Sequence, residues 1–270
     1  MRRRALSGRA IALSGAVLVA WPAASGTSDA GLLARASAPV EVSRASATPR
    51  LGAAAHVASF PNWTGGETPR TAVPVLLVPG WLDSARDLAA LRIRLVAAGW
   101  SHVETLTFRD PAGSNRDHAA EIDSLVTRML SETGADEIDI VAHSMGGLAT
   151  RWYLMAYAPA PVRRVAFLGS PHRGTLSAHL AWGVGAEEMT PGSAFLNALD
   201  EAPAVPEGLD AITVRTPIDT HVVPGESATL PGVPDHSVCC PTHRGLLRDD
   251  EVFRIVLDFL ESVRIPAPRP

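Results

Sequence analysis

Ala142-His143-Ser144-Met145-Gly146-Gly147 sets a hydroxyl nucleophile among small residues. The apolar run Glu137-Ile138-Asp139-Ile140-Val141 before it reads as a buried strand, and Leu148 to Met155 after it reads as a helix. A serine at a strand-to-helix turn is forced into the open by a bend too tight for bulky neighbours. Ala142 and Gly146 stand where side chains must be small; the commoner residue two before such a serine is glycine. Ser144 is therefore the candidate nucleophile. Its position at a helix N-terminus lets the helix dipole and the Met145 N–H stabilise an oxyanion. The bland reading of the same residues is a small-residue turn whose serine only caps a helix.

A serine nucleophile needs a base, and the base an orienting acid. At such an elbow the chain order is serine, then carboxylate, then histidine. Asp219, in Arg215-Thr216-Pro217-Ile218-Asp219-Thr220-His221-Val222-Val223-Pro224, follows a predicted strand and falls where a loop crosses the sheet's carboxyl edge, the edge at which ligands bind. Asp200 and Asp210 lack that position, and Asp235 lies in another loop; the plain alternative for Asp219 is a turn-capping carboxylate. His243, in Cys240-Pro241-Thr242-His243-Arg244-Gly245-Leu246-Leu247, occupies the loop between the last strand and the last helix. His236 reads as entering a strand, His221 as too close to the acid, and His172 as structural or substrate-adjacent. The second oxyanion donor is expected from the backbone after the first core strand, which selects the Trp81 N–H of Pro79-Gly80-Trp81.

These loops need a scaffold, and the pattern from Thr71 onward supplies one. Strands are predicted at Pro74–Val78, Val103–Phe108, Glu137–Val141, Arg164–Leu168, Ala211–Arg215 and Ser237–Cys240. Helices are predicted at Ser84–Ala98, Asn115–Thr133, the segment after Ser144, and Asp249–Val263. Strands alternating with helices imply an α/β class fold, a mostly parallel sheet covered on both faces.

Composition narrows the chemistry. The chain has 270 residues, 46% of them hydrophobic, with a net charge of -4 and no long basic run after its first residues, so nucleic acid is not an expected partner. All 24 basic residues are Arg. Without lysine there is no Schiff-base chemistry, no Ser-Lys dyad and no phosphate-gripping P-loop lysine. The nine His are scattered and no zinc-type spacing occurs, so no metal is expected. Cys239 and Cys240 are adjacent; a bond between neighbours is rare, so two thiols in or near a buried strand are expected.

The N-terminus reads differently. Met1-Arg2-Arg3-Arg4, a short apolar run from Ala10 to Trp21 and small residues thereafter form a secretory signal over 1–26, which implies a secreted, extracellular protein. Residues 27–70, rich in Ala, Ser and Pro, read as a leader that contains the formal sequon Asn62-Trp63-Thr64. Residues 71–264 form the expected catalytic domain, with a small cap at 175–208 and a tail at 265–270.

Taken together, Val78-Pro79-Gly80-Trp81, Ala142 to Gly147, Gly169-Ser170-Pro171-His172-Arg173-Gly174, Asp219 with Val223-Pro224, and Thr242 to Leu247 resemble the secreted bacterial lipases of the α/β-hydrolase superfamily, lipase class 2 type. The resemblance covers roughly residues 71–263. It implies an α/β-hydrolase fold and carboxylic ester hydrolysis without a cofactor, on a lipid or other ester substrate, with a lipid–water interface as a candidate partner. It also implies a loop beside the site at Gly169–Gly174 and a cap insertion after Leu176. On that basis His143, His172, Trp182, Phe195 and Leu196 are candidate pocket residues; the alternative for the apolar ones is ordinary helix packing. Rival readings are an acyltransferase or thioesterase, a polyester- or amide-cleaving hydrolase, and a secreted binding protein on an inert scaffold. Oligomeric state is not legible.

Overall fold

The computed structural model describes residues 73–262. The secretory signal, the leader with its sequon and the tail read from the sequence lie outside the described residues. So do Thr71 and Ala72, and the last residue of the predicted closing helix, Val263.

Six parallel strands form one sheet in the order β2-β1-β3-β4-β5-β6: β1 Val75–Val78, β2 Val103–Thr105, β3 Ile138–His143, β4 Val162–Leu168, β5 Asp210–Arg215 and β6 Asp235–Ser237. Side chains alternate between the two faces, as strand geometry requires. Leu76, Val78, Ile138, Ile140 and Phe167 pack into a core with helices α2 (Asn115–Thr133) and α3 (Met145–Ala156). Val75, Leu77, Val141, Ala166, Leu168 and Val214 face the other way, against α1 (Ala89–Ala97) and α6 (Asp250–Glu261). Both faces are covered, which is why β1 and the end of β4 read as apolar runs, while in β3 the run is interrupted by buried Asp139, which pairs with Arg163. The chain reverses its order of strand addition between β1 and β3. Such a switch point opens a crevice at the carboxyl ends of the strands, here the ends that carry Pro79–Trp81 and Ser144.

Helix ends follow the capping chemistry in the sequence. Ser114 accepts the Arg116 N–H at the start of α2, and Gly134 closes it with φ 69°. Asp249 accepts from the Glu251 and Val252 N–H groups at the start of α6. Between β4 and β5 the chain makes a 3-10 turn at Leu176–Leu180 and two short helices, α4 (Val184–Glu188) and α5 (Ala194–Asp200).

The structure departs from the sequence reading at several ends. The predicted helix at Ser84 begins at Ala89: Asp87 bonds back to Ser84 and Ala89 to Arg86 in tight i to i+3 turns, while the Ala85 N–H is taken by Thr107 Oγ1. Strand β2 stops at Thr105 because Phe108 leaves the sheet to stack on His118, 3.8 Å between ring centres. The last strand lies earlier than predicted, at Asp235–Ser237, where Asp235 pairs with Arg215 of β5 at 2.9 Å. Cys239 and Cys240 are not two buried thiols. Both are exposed beyond β6 and are bonded to each other, with a cis peptide between them.

Candidate active site

Ser144 links β3 to α3 with φ 54° and ψ -131°. A positive φ costs a residue with a side chain roughly 1–3 kcal/mol and persists only where the surroundings impose it. Here they do. The Ser144 N–H donates to Leu168 O at 2.9 Å, and the Ser144 carbonyl accepts from the Gly147 N–H at 3.0 Å. The neighbouring glycines are needed for space: a Cβ on Gly146 would strike the Pro79 carbonyl oxygen, one on Gly147 the Ser170 side chain, and one on Gly80 would lie 2.7 Å from Ser144 Cβ. The requirement for a small residue at 146 thus comes from the chain after β1, which passes directly beside the turn.

Three loops converge on the serine. Ser144 Oγ lies 2.9 Å from His243 Nε2, and His243 Nδ1 lies 2.7 Å from Asp219 Oδ2. Asp219 is itself fixed, because its Oδ1 accepts from the His221 and Val222 N–H groups at 2.8 and 2.9 Å. The His243 and Asp219 side chains are 4% and 2% exposed, so the relay runs through a protein interior that strengthens each polar contact. Burial pushes the Asp219 carboxyl up, but the hydrogen bond and charge of His243 and the two backbone donors outweigh it and hold the carboxyl below its ordinary value. Burial is also the largest influence on His243. It lowers the imidazole below its ordinary value, with His143 and His221 adding to the effect and Asp219 opposing it. A neutral imidazole facing a hydroxyl, steadied by a carboxylate behind it, is equipped to take the hydroxyl proton.

The Trp81 and Met145 N–H groups make no hydrogen bond to another described residue. Trp81 follows the end of β1 and Met145 is the first residue of α3, so both donors belong to the turns that bracket Ser144.

A cavity of about 350 Å³ opens onto the serine, with Ser144 and His243 among its lining residues. Its apolar walls include Trp81, Leu82, Leu180, Trp182, Met189 and Val222. The predicted pocket residues divide here. Trp182 lines the cavity, edge-on to Trp81 at 4.8 Å, and its carbonyl accepts from Trp81 Nε1 at 3.2 Å. The other four are absent from the cavity wall. Phe195 and Leu196 turn inward to pack with Met145, Leu148 and Leu199, and Phe195 stacks on Trp152 at 5.2 Å. His172 is fully buried edge-on to Phe167; burial first, then the Arg151 and Arg173 charges, hold it well below the ordinary imidazole value. His143 sits behind His243, with 4.7 Å between ring centres. Phe195 and Leu196 pack on α3, His172 on Phe167 of the sheet, and His143 on Asp83 and the His243 loop, which the sequence pattern could not distinguish from facing the cavity.

Sequence reasoning also passed over residues. His221 stacks on the open face of His243, 4.8 Å between centres and 14° between planes, and lines the cavity. Buried Asp83 pairs with His143 and Arg244. Glu188 of α4, 6% exposed, accepts from Ser114 Oγ, the Asn115 N–H and Asn115 Nδ2 at 2.6–2.9 Å, and so ties the inserted segment to the N-terminus of α2. Nothing local in the sequence marks these contacts, since each partner lies tens of residues away; only His221, two residues from Asp219, could have been weighed further. Among the described residues no group of three or more His, Cys, Asp or Glu could hold a metal ion.

Comparison with known proteins agrees with this architecture. A family model described as the alpha/beta hydrolase fold matches residues 73–192. A triacylglycerol lipase of Pseudarthrobacter phenanthrenivorans is 30% identical over 118 residues, 39% of this chain and 35% of that protein. The chain spans about a third of the length of the curated relatives it matches. Among solved structures, Aspergillus fumigatus lipase B superposes with a TM-score of 0.63 at 17% identity, over 70% of this chain and 52% of that one. The mature form of a Bacillus licheniformis lipase superposes with a TM-score of 0.62 at 17% identity, over 72% of this chain and 94% of that one. The fold of this chain is the α/β-hydrolase fold.

Proposed function

We propose that this α/β-hydrolase cleaves carboxylic esters through an acyl-enzyme on Ser144, with lipid esters as its substrates. His243 takes the hydroxyl proton as Ser144 Oγ attacks the ester carbonyl. Asp219 keeps the imidazole in the tautomer with Nδ1–H and stabilises the imidazolium that forms. The Trp81 and Met145 N–H groups receive the developing oxyanion. His243 then returns the proton to the leaving alcohol, and water, activated by the same imidazole, releases the acid.

The single observation that carries this reading is the unbroken Ser144–His243–Asp219 hydrogen-bond relay at the wall of an apolar cavity. The similarity to triacylglycerol lipases, 30% identity over 118 residues, supports the same class of substrate. So do the exposed apolar side chains Leu82, Leu180 and Trp182, which give the cavity a greasy rim on which a lipid surface could rest. Export from the cell rests on residues 1–26 alone, and N-terminal sequencing of the mature protein tests it.

The test of function is hydrolysis of p-nitrophenyl esters of increasing acyl length by the protein and by Ser144→Ala. Activity in the parent, lost by at least about 10⁴-fold in the variant, supports the reading. An equally active, purified Ser144→Ala protein would defeat it, and acyl transfer to added alcohol in place of free acid would redirect it to a transferase.

A further inference from the structure

His143 plays no part in the steps above, yet it is as buried as anything in the site. Its side chain is 1% exposed and that of its partner Asp83 is 3% exposed. His143 Nδ1 lies 3.1 Å from Asp83 Oδ2, and Nε2 lies 3.3 Å from the main-chain carbonyl oxygen of His243. Both ring nitrogens therefore face acceptors, one on a carboxylate and one on a carbonyl. A neutral imidazole has a single N–H and can serve only one of them; an imidazolium serves both.

Asp83 has the environment of a carboxylate. Burial works to raise it, but the His143 hydrogen bond and charge, with Arg244 adding to them, hold it below its ordinary value. Its other oxygen pairs with the guanidinium of Arg244, the residue after His243. One buried carboxylate thus grips the base's loop at two adjacent residues, through His143 onto the His243 carbonyl and directly onto Arg244.

We propose that His143 is a fixed imidazolium, held by Asp83, and acts as a positioning residue that sets His243 from behind. The inference rests on His243 being the general base. Ser144 and Asp219 fix the two ends of the His243 ring, while the His143 clamp on the main chain fixes the point from which that ring is hung. The charge matters as well. The groups facing His243 are Asp219 and His221 from the loop after β5, Ser144 from the elbow and His143 from β3. The cation on the β3 side disfavours a second proton on His243, which keeps the base ready. Removing His143 would also leave the Asp83 charge less compensated, so both consequences push His243 towards protonation.

The test is imidazole NMR on the ¹⁵N-histidine-labelled protein. At neutral pH both His143 nitrogens should carry protons in the parent. Asp83→Asn should convert His143 to a neutral ring with one bare nitrogen. In His143→Gln, which retains a donor for the carbonyl, His243 should titrate about one pH unit higher. The acid limb of kcat/KM should move with it, and KM should stay unchanged. In His143→Phe, which has no donor, kcat should fall by about tenfold more than in His143→Gln. A neutral single-tautomer His143 in the parent would overturn the proposal; so would a His243 titration unmoved in His143→Gln. The parent spectrum and Asp83→Asn decide the charge even where a His143 variant does not fold. These readouts need no turnover, so an absence of ester hydrolysis in the parent would fall on the assignment of the base and not on the charge of His143.

Discussion

The elbow and the inserted segment meet at one cavity but are built on opposite rules. From Ala142 to Ala149 every residue except Ser144 is buried, and the glycines have no room for a methyl group. From Leu176 to Val184 the chain instead leaves apolar side chains in water: Leu180 is 91% exposed and Trp182 64%. One side holds the Ser144 hydroxyl in a sterically closed turn; the other presents exposed apolar side chains. The contrast separates chemistry from substrate fit. Under the proposed function, reactivity depends on the steric and hydrogen-bond constraints around Ser144, and acyl fit on the exposed apolar wall. What joins the two regions is apolar packing: Ala178, Met189, Phe195, Leu196 and Leu199 lie against Met145 and Leu148, with the Trp81–Trp182 contact at the mouth.

Three expectations would break or sharpen this contrast. The largest effect should come from Gly146→Val. Its side chain would drive into the Pro79 carbonyl, a backbone group that cannot swing aside, at a cost of about 3 kcal/mol or more. Denaturant unfolding should show a collapse of stability or no folded protein, and a near-normal midpoint would refute the claim of a rigid elbow. Next comes acid sensitivity from buried His172. Its folded value lies well below its ordinary value of 6.5. The unfolded chain therefore binds the proton first, and this group's share of stability is intact above about pH 6.5 and lost as pH falls towards the folded value, at up to about 1.4 kcal/mol per pH unit. Melting curves of the parent and His172→Leu across that window should diverge, with the parent falling more steeply. The smallest change in stability should come from Trp182→Ala, within about 0.5 kcal/mol, while hydrolysis of long-chain esters drops several-fold and that of short-chain esters stays close to the parent's. An equal loss on all chain lengths would place Trp182 with the reacting groups and erase the distinction.

The same division explains what could be read in the chain beforehand. Ser144 is legible because an elbow is a local object: a strand, small residues and a helix in one short stretch. Asp219 and His243 follow from chain order and from loops at one sheet edge. The doubly covered parallel sheet follows from apolar runs alternating with helical periodicity. The cavity wall is not legible in this way. Phe195 and Leu196 carry the same apolar signal as Leu180 and Trp182, and only the packing of α5 on α3 decides which pair turns inward. His143 and Asp83 are 60 residues apart, and their pairing is created by β1 lying beside β3. The Cys239–Cys240 bond joins adjacent residues, a pairing that their spacing argues against.

The central claim is that Ser144, activated by His243, is the nucleophile. The most direct test is to treat the protein with an alkyl p-nitrophenyl phosphonate and locate the adduct by peptide mass spectrometry. The account predicts one phosphonyl group per chain, on Ser144, with ester hydrolysis lost in proportion to labelling and no adduct formed in His243→Ala. A protein that stays unlabelled while hydrolysing esters, or that is inactivated by an adduct on another residue, would contradict it.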